Sequence, residues 1–159
     1  MENNKELIQK FYTSFQGGQY RVMQACYADD ATFSDSVFKD LDAKKTKAMW
    51  HMLTTGSKDF KLTFQNIKVD ENSASCDWVA EYTFSLTNRK VVNRVHAEFK
   101  IQDGKIISHR DAFDFYAWAF QAFGFKGLLL GWTSKFQHAV QIKSAEKLNV
   151  FVEKNIEYQ

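Results

Sequence analysis

Several residue types and sequence features are absent or rare in this chain, and most of these absences exclude classes of protein. Proline is absent from all 159 residues, which by itself carries no functional message. The two cysteines, Cys26 and Cys76, form neither a Cys-x-x-Cys pair nor a zinc-ligand spacing, which favours a reducing compartment. No run of about 18 apolar residues occurs, and the polar first residues are unlike a signal peptide. We therefore expect a soluble cytoplasmic protein without a membrane span.

The chain also has no large excess of positive or negative charge. Lysine and arginine number 21 against 19 for aspartate and glutamate, and the two signs are interspersed along the chain. Nucleic acid binding needs a concentrated basic surface, so we exclude nucleic acid as a partner. The chain is rich in apolar and aromatic material, with 45% hydrophobic residues and 15 phenylalanines. One domain of this length can build both a core and a pocket from that material.

The spacing of the apolar residues divides the chain into three parts. Residues 3–16, 20–27 and 42–53 repeat apolar side chains at helical spacing, whereas residues 60–115 alternate with period two between polar turns. From about residue 118 the spacing is helical again. We expect one short and four longer strands, forming an α+β fold in which helices pack on one face of a curved antiparallel sheet. The cone left between helices and sheet is a natural ligand site.

Polar side chains interrupt the apolar face of the central hairpin. Asp103-Gly104 predicts a type I′ turn, because both central residues of that turn need a positive φ. Alternation on either side of the turn then places Asn93, His109 and Asp111 on faces that are otherwise apolar. A buried ionised carboxylate without partners is costly, so such groups are hydrogen-bonded, protonated or exposed to a wet cavity.

Two aspartates are the candidate acid/base residues. Asp29 and Asp30 are expected to turn the chain into a short strand that ends at Asp35. In an apolar cone Asp35 is a candidate general base, and its alternative role is to cap the following turn. Asp111 with His109 forms either an acid/base pair or a buried structural bridge. His109 itself orients Asp111, contacts the ligand or is a hydrogen-bonded core histidine.

A second set of candidates offers aromatic or aliphatic surface and one amide for a flat apolar ligand: Trp50, Trp78, Tyr82, Asn93, Val95, Phe113 and Trp118. Core packing would use the same aromatic residues. The other histidines, His51, His96 and His138, are scattered over different elements, so we expect no metal site. We also expect no organic cofactor.

Two segments resemble motifs of a known superfamily. YADDATFSD, residues 27–35, is similar to the segment that carries the catalytic base of ketosteroid isomerases, and Asp35 falls on that base. DGKIISHRDAFDF, residues 103–115, is similar to the last strand of SnoaL-like proteins and limonene epoxide hydrolases, and Asp111 falls on its catalytic aspartate. Over about residues 3–125 the chain is identified as a SnoaL-like, ketosteroid-isomerase-like member of the nuclear transport factor 2-like superfamily.

The resemblance implies a cone of three N-terminal helices on a curved antiparallel sheet. Residues 1–125 would form the SnoaL-like domain, and residues 126–159 a helical extension packed on the same domain. It also implies a small-molecule pocket protein: a cofactor-independent isomerase, cyclase or hydrolase that uses aspartate acid/base chemistry on an apolar ring-containing metabolite. The alternatives are a module of the same fold that only binds a small ligand, and a dimeric interaction module.

The sequence departs from the reactions of these relatives at their electrophilic groups. Phe11 and Ala97 stand where ketosteroid isomerases have a tyrosine and a protonated aspartate, and residues 78–80 are Trp-Val-Ala where the epoxide hydrolases have Arg-x-Asp. These differences favour the binding module. Tyr12 is adjacent to Phe11 and is expected to face differently.

The outer sheet face and one apolar segment are the remaining candidate surfaces. Arg94, His96, Glu98 and Arg110 are expected to pair across a two-fold axis in a homodimer, as the family's dimers tend to do. GLLLGW, residues 127–132, would cover a partner, close the mouth of the pocket as a lid or pack on its own sheet.

Overall fold

The computed structural model describes residues 2–158 and has the predicted order of three helices, a series of strands and further helices. The fold is α+β, as predicted. Its elements have these bounds: α1 Glu2–Gln16, α2 Tyr20–Ala25, β1 Tyr27–Ser34, α3 Ala43–Gly56, β2 Lys61–Val69, β3 Ser73–Phe84, β4 Arg89–Gln102, β5 Lys105–Phe113, α4 Phe115–Phe123, α5 Phe125–Leu130, α6 Ser134–Lys154 and a final 3₁₀ turn Ile156–Tyr158.

The five strands form one sheet in the order β1-β5-β4-β3-β2. Strands β2 to β5 pair antiparallel, as expected, but β1 runs parallel to β5 at one edge. The segment that contains α3 carries the chain from β1 to β2 at the opposite edge of the sheet, so β1 pairs with β5 and not with β2.

The turn between β4 and β5 has the predicted geometry. Asp103 and Gly104 have φ values of 51° and 70°, which are the two positive angles of a type I′ turn. Along β4, buried and exposed side chains alternate as the sequence indicates.

Strand β1 is longer than the sequence predicts. Asp29 and Asp30 do not turn the chain but lie within Tyr27–Ser34 as exposed strand residues. An irregularity in the pairing with β5 between Tyr27 and Thr32 accommodates them. A bulge of this kind keeps both carboxylates in solvent while the flanking residues Ala31 and Phe33 stay buried.

Helices α1 and α3 cover the concave face of the sheet and close the cone. Phe11 of α1 packs edge-to-face against Trp50 of α3, with 5.4 Å between ring centroids, and against Phe99 of β4 at 6.4 Å. Asp42 caps α3, since its Oδ1 accepts a hydrogen bond of 2.8 Å from the backbone N–H of Lys45. The core therefore lies between these helices and the inner sheet face.

Helix α6 and the final 3₁₀ turn contact the N-terminal part of the chain. Gln137 and Gln141 of α6 both donate to the carbonyl oxygen of Ser36, at 3.1 and 3.0 Å. The hydroxyl of Tyr158 accepts a 2.6 Å hydrogen bond from Gln24. The proposed division into residues 1–125 and 126–159 stays a prediction. In the described part of the chain, 2–158, every helix is too short or too polar to cross a membrane.

Candidate functional site

Strands β4 and β5 turn five of the predicted site residues to the inner sheet face: Asn93, Val95, His109, Asp111 and Phe113. The register of the ladder sets Asp111 opposite Ala97 and Phe113 opposite Val95. The polar residues thus share one surface with apolar neighbours, as the alternation predicts. His109 and Asp111 are buried, whereas Asn93 and Phe113 keep partial exposure.

His109 lies inside a chain of buried hydrogen bonds. The indole N–H of Trp50 donates to the hydroxyl of Tyr27 at 2.8 Å, and that hydroxyl lies 2.6 Å from Nδ1 of His109. Because an indole can only donate, the Tyr27 proton is directed at Nδ1, which must accept it. Nε2 then carries the imidazole proton and donates to Oδ1 of Asp111 at 2.9 Å. His109 thereby orients the carboxylate of Asp111.

Asp111 receives a second, long contact from strand β3 of the same sheet. The indole N–H of Trp78 lies 3.5 Å from the same Oδ1. Within residues 2–158 both hydrogen bonds reach Oδ1, which leaves Oδ2 for a ligand. The bridge interpretation and the acid/base interpretation of the His109–Asp111 pair are both compatible with this geometry.

Asp35 is brought next to Asp111 by the parallel pairing of β1 and β5. Ser34 is in register with Arg110, so the following residues, Asp35 and Asp111, occupy adjacent positions at the end of β1. The negative charge of Asp111 is one of the causes that raise the pKa of Asp35. The two candidate carboxyl groups therefore belong to one site.

The pKa of Asp35 is raised from 3.8 to about 7, chiefly because its carboxyl group is withdrawn from water. Hydrogen bonds to Oδ1 from the backbone N–H groups of Phe38 and Val37, at 2.5 and 2.6 Å, oppose that rise. Oδ1 thus caps the turn, as the alternative interpretation of Asp35 proposes, while Oδ2 remains available. A carboxyl group with a pKa near neutrality can both take and return a proton at physiological pH.

Tyr12 supplies a donor that sequence reasoning missed. Its ring is buried against Phe64 and Trp78, and its hydroxyl has no hydrogen-bond partner within the described residues 2–158. Burial and then the charge of Asp111 raise the pKa of Tyr12 well above its usual value, so the hydroxyl stays protonated. Tyr27 was also missed, because its role depends on the pairing of β1 with β5.

The wide end of the cone is the part that solvent reaches. Tyr82, Asn93 and Phe113 all lie on the inner face and are only partly buried. The indole N–H of Trp118 on α4 donates to the Tyr82 hydroxyl at 2.9 Å, and burial raises the pKa of Tyr82. The Asn93 side chain forms no hydrogen bond that fixes it within residues 2–158, so both its donor and its acceptor can serve a ligand.

The structure therefore separates the predicted site residues into two groups. Trp50, Trp78, Val95, His109 and Asp111 are buried at the narrow end, where aromatic rings fill the space between helices and sheet. The wide end holds Asp35, Tyr82, Asn93, Phe113 and, behind Tyr82, Trp118. Asp35 keeps partial exposure, whereas Asp111 is buried. The assignment of these residues to catalysis or binding stays a prediction.

The outer sheet face carries a groove of about 580 Å³ lined in part by Asp77, Arg94, His96 and Ala112. Nδ1 of His96 lies 2.6 Å from Oδ1 of Asp77, so part of the charge there is paired within the chain. Among residues 2–158, no three His, Cys, Asp or Glu side chains converge in a way that could hold a metal ion. The dimer and the absence of a metal stay predictions.

Several solved structures share this architecture. An LEH-like epoxide hydrolase from M. tuberculosis is 21% identical, with a TM-score of 0.64, over 82% of this chain and 92% of its own. IdmH from Streptomyces antibioticus, a provisionally assigned polyketide cyclase, is 18% identical over 74% of this chain and 96% of its own, with a TM-score of 0.62. A Catenulispora acidiphila protein with a ketosteroid isomerase-like fold, crystallised with trimethylamine, is 12% identical over 74% and 92%, with a TM-score of 0.64.

Similarity at these identities establishes the fold and leaves the reaction open. No curated protein matches the chain. The SnoaL-like domain family matches residues 8–109, which is more than half of the chain and includes β1, α3, the hairpin turn and His109. The chain therefore belongs to the SnoaL-like family, with the nuclear transport factor 2-like fold.

Proposed function

We propose that this protein binds a small, mostly apolar, ring-containing or polyketide-like metabolite at the wide end of the cone and moves a proton on it. The observation that carries the proposal is Asp35, whose carboxyl group has a pKa of about 7 beside the second carboxylate, Asp111. Neither an organic cofactor nor a metal is part of the proposal.

The proposed reaction begins with Asp35 in its ionised form. It removes a proton from a carbon next to a carbonyl group, and the electron pair of that C–H bond moves toward the carbonyl oxygen. The proton then returns from Asp35 by one of two routes. It is added to another carbon of the conjugated system, which yields an isomer, or the enolate carbon first attacks a second carbonyl group of the same molecule and the oxygen of that group takes the proton, which closes a ring. A base whose pKa is near the working pH contributes on the order of 100- to 10,000-fold to such a step.

Tyr12 is our candidate for stabilising the charge that develops on the oxygen. Its hydroxyl is buried, protonated and without a hydrogen-bond partner in the described residues, so its proton is available to the oxygen of a ligand that extends inward from the wide end. Asn93 offers a second donor nearer the mouth. Asp111, oriented by His109, is the second acid/base group of the proposal, and its charge adds to the burial that raises the pKa of Asp35.

The ligand class is supported by the walls of the site and by similar proteins. Tyr82, Phe113 and Trp118 present aromatic surface, and only a few polar groups interrupt it. One structural neighbour is named an epoxide hydrolase and another a provisional polyketide cyclase, both of which are enzyme classes for small molecules.

The test is a thermal-shift screen of ring-containing metabolites, followed by turnover assays on the compounds that bind. Asp35→Asn and Asp111→Asn should each lower turnover by about 100-fold or more while leaving ligand affinity nearly unchanged. Asp30→Asn, which alters an exposed carboxylate of the same strand β1, should be as active as the parent. The parent rate should rise with pH through about 7. Parent-like turnover in both variants would refute the acid/base assignment.

A module that only binds its ligand is the second candidate function. It is favoured by the hydrogen bonds from Val37 and Phe38 to Asp35, which give this carboxyl group a structural role in the turn. The absence of an Arg-x-Asp motif at residues 78–80 also favours it. Compounds that bind tightly without any being converted would establish this function in place of the enzyme.

A further inference from the structure

Helix α5 and the turn after it expose five large apolar side chains, which we call the α5 patch: Phe125, Leu128, Leu129, Leu130 and Trp132. Trp132 is 74% exposed and Phe125 is 69% exposed. Phe120 on the neighbouring helix α4 is exposed as well. Monomeric soluble proteins rarely expose so many contiguous apolar side chains, and such a patch marks an interaction surface.

The side chains of the α5 patch are exposed because of the way in which α5 packs on α4. A Cβ atom at Gly127 would lie 2.0 Å from the carbonyl oxygen of Ala119, so α5 approaches α4 through a face that carries no side chain. The Tyr116 hydroxyl donates to the carbonyl oxygen of Leu128 at 3.1 Å and holds the two helices together. Since glycine occupies the inner face of α5, its leucines have to point outward.

The charge of this region is one-sided, unlike that of the whole chain. Residues 115–145 contain no aspartate or glutamate, although the chain has 19 of them. The same stretch contains Lys126, Lys135 and Lys143, all of which are exposed. The α5 patch therefore belongs to a stretch of the chain that carries basic side chains and no acidic ones.

A second copy of the chain is a poor match for this combination. A two-fold contact through the α5 patch would bring the lysines of both copies together, and the stretch provides no carboxylate to pair with them. An anionic lipid bilayer satisfies both features. Its hydrocarbon boundary accepts leucine, phenylalanine and tryptophan side chains, while its headgroups attract lysine.

We propose that the α5 patch docks the protein on the surface of an anionic lipid bilayer. Leu129, Leu130 and Trp132 enter the boundary between headgroups and acyl chains, and Lys126 and Lys135 lie among the phosphates. The protein lies on the bilayer without crossing it. This surface interaction is independent of the reaction proposed for the cone.

The experiment is co-sedimentation of the full chain with phosphatidylcholine vesicles that contain about 30% phosphatidylserine, compared with pure phosphatidylcholine vesicles. Trp50, Trp78 and Trp118 are buried, so a blue shift of tryptophan emission on binding reports on Trp132. We expect binding to the anionic vesicles that weakens as salt is added, and at most weak binding to the neutral ones.

Two variants separate the apolar from the electrostatic contribution. Leu129→Ser with Leu130→Ser, which keeps Trp132 as the reporter, should weaken binding by about tenfold or more. Lys126→Glu should weaken it by about fivefold or more on anionic vesicles only. Ile156→Ser is the matched control, since this side chain is 85% exposed outside the patch. Circular dichroism checks that each variant is folded.

Three outcomes would overturn the proposal. The first is a parent chain that stays in the supernatant with anionic vesicles, and the second is a leucine variant that binds them as tightly as the parent. The third is concentration-dependent self-association of the parent that the leucine variant abolishes, because the α5 patch would then be an interface between copies of this chain.

Discussion

Replacing Asp35 by asparagine should remove a pH dependence of folding that this residue imposes. The pKa of its carboxyl group is raised from the ordinary value of 3.8 to about 7 in the folded chain, so between these values the folded state binds more protons than the unfolded state. Stability conferred by protonated Asp35 is therefore lost as the pH rises from about 4 to about 7, and then changes no further. At about 1.4 kcal/mol per pKa unit, the total is at most about 4 kcal/mol, and partial exposure of the residue reduces it.

Asparagine at position 35 resembles the protonated carboxyl group and still accepts hydrogen bonds from Val37 and Phe38. Urea unfolding at about pH 5 and about pH 8.5 measures the effect. The free energy of unfolding of the asparagine variant, taken relative to that of the parent, should be higher at about pH 8.5 than at about pH 5 by up to about 2.5 kcal/mol. Asp30→Asn, on the exposed side of β1, should show no such gain. If the difference between Asp35→Asn and the parent is the same at both pH values, Asp35 does not titrate near neutrality.

Three further predictions concern the buried network, the packing of α5 and the dimer. His109→Ala should lower the free energy of unfolding by about 3–5 kcal/mol, because Asp111 loses its buried partner; urea titration measures this. Gly127→Ala should lower the thermal midpoint by several degrees, whereas Gly56→Ala, with no atom within 4 Å of the added Cβ, should not. The parent is predicted to be a homodimer by light scattering, and Arg94→Glu on the outer sheet face should make it monomeric; a monomeric parent at micromolar concentration would contradict this.

The parts of the fold that sequence could predict are those with local signals. Asp103-Gly104 marks a turn by backbone preference alone, and the alternation of β4 places Asn93 and Val95 on the inner face without any tertiary information. The parallel edge strand has no such signal. Asp29 and Asp30 look like a turn because aspartate is common in turns, and only the irregular pairing with β5 keeps them in a strand.

The site was predictable to the extent that it depends on single strands. Asp111 and His109 share the inner face by alternation, but their chain of hydrogen bonds also needs Tyr27 from the other side of the β1–β5 ladder and Trp50 from α3. The proximity of Asp35 to Asp111 likewise depends on the register of Ser34 with Arg110. Pairing between elements that are far apart in the chain produces no periodicity or residue spacing in the sequence from which it could be predicted.

Tyr12 shows how the shape of the sheet alters what a helix buries. A helix on a flat surface buries one stripe, and two consecutive residues, about 100° apart, cannot both point at its centre. Helix α1 instead lies in the concave face, where Phe11 contacts His109 and Tyr12 contacts Phe64, so the buried arc spans both directions. Phe11 stands where a catalytic tyrosine of ketosteroid isomerases would be expected. The hydroxyl of Tyr12, one position later, is close enough to Asp111 for that charge to add to the rise in pKa that burial causes. Tyr12 is thus a candidate, on the same helix, for the electrophilic group that position 11 lacks.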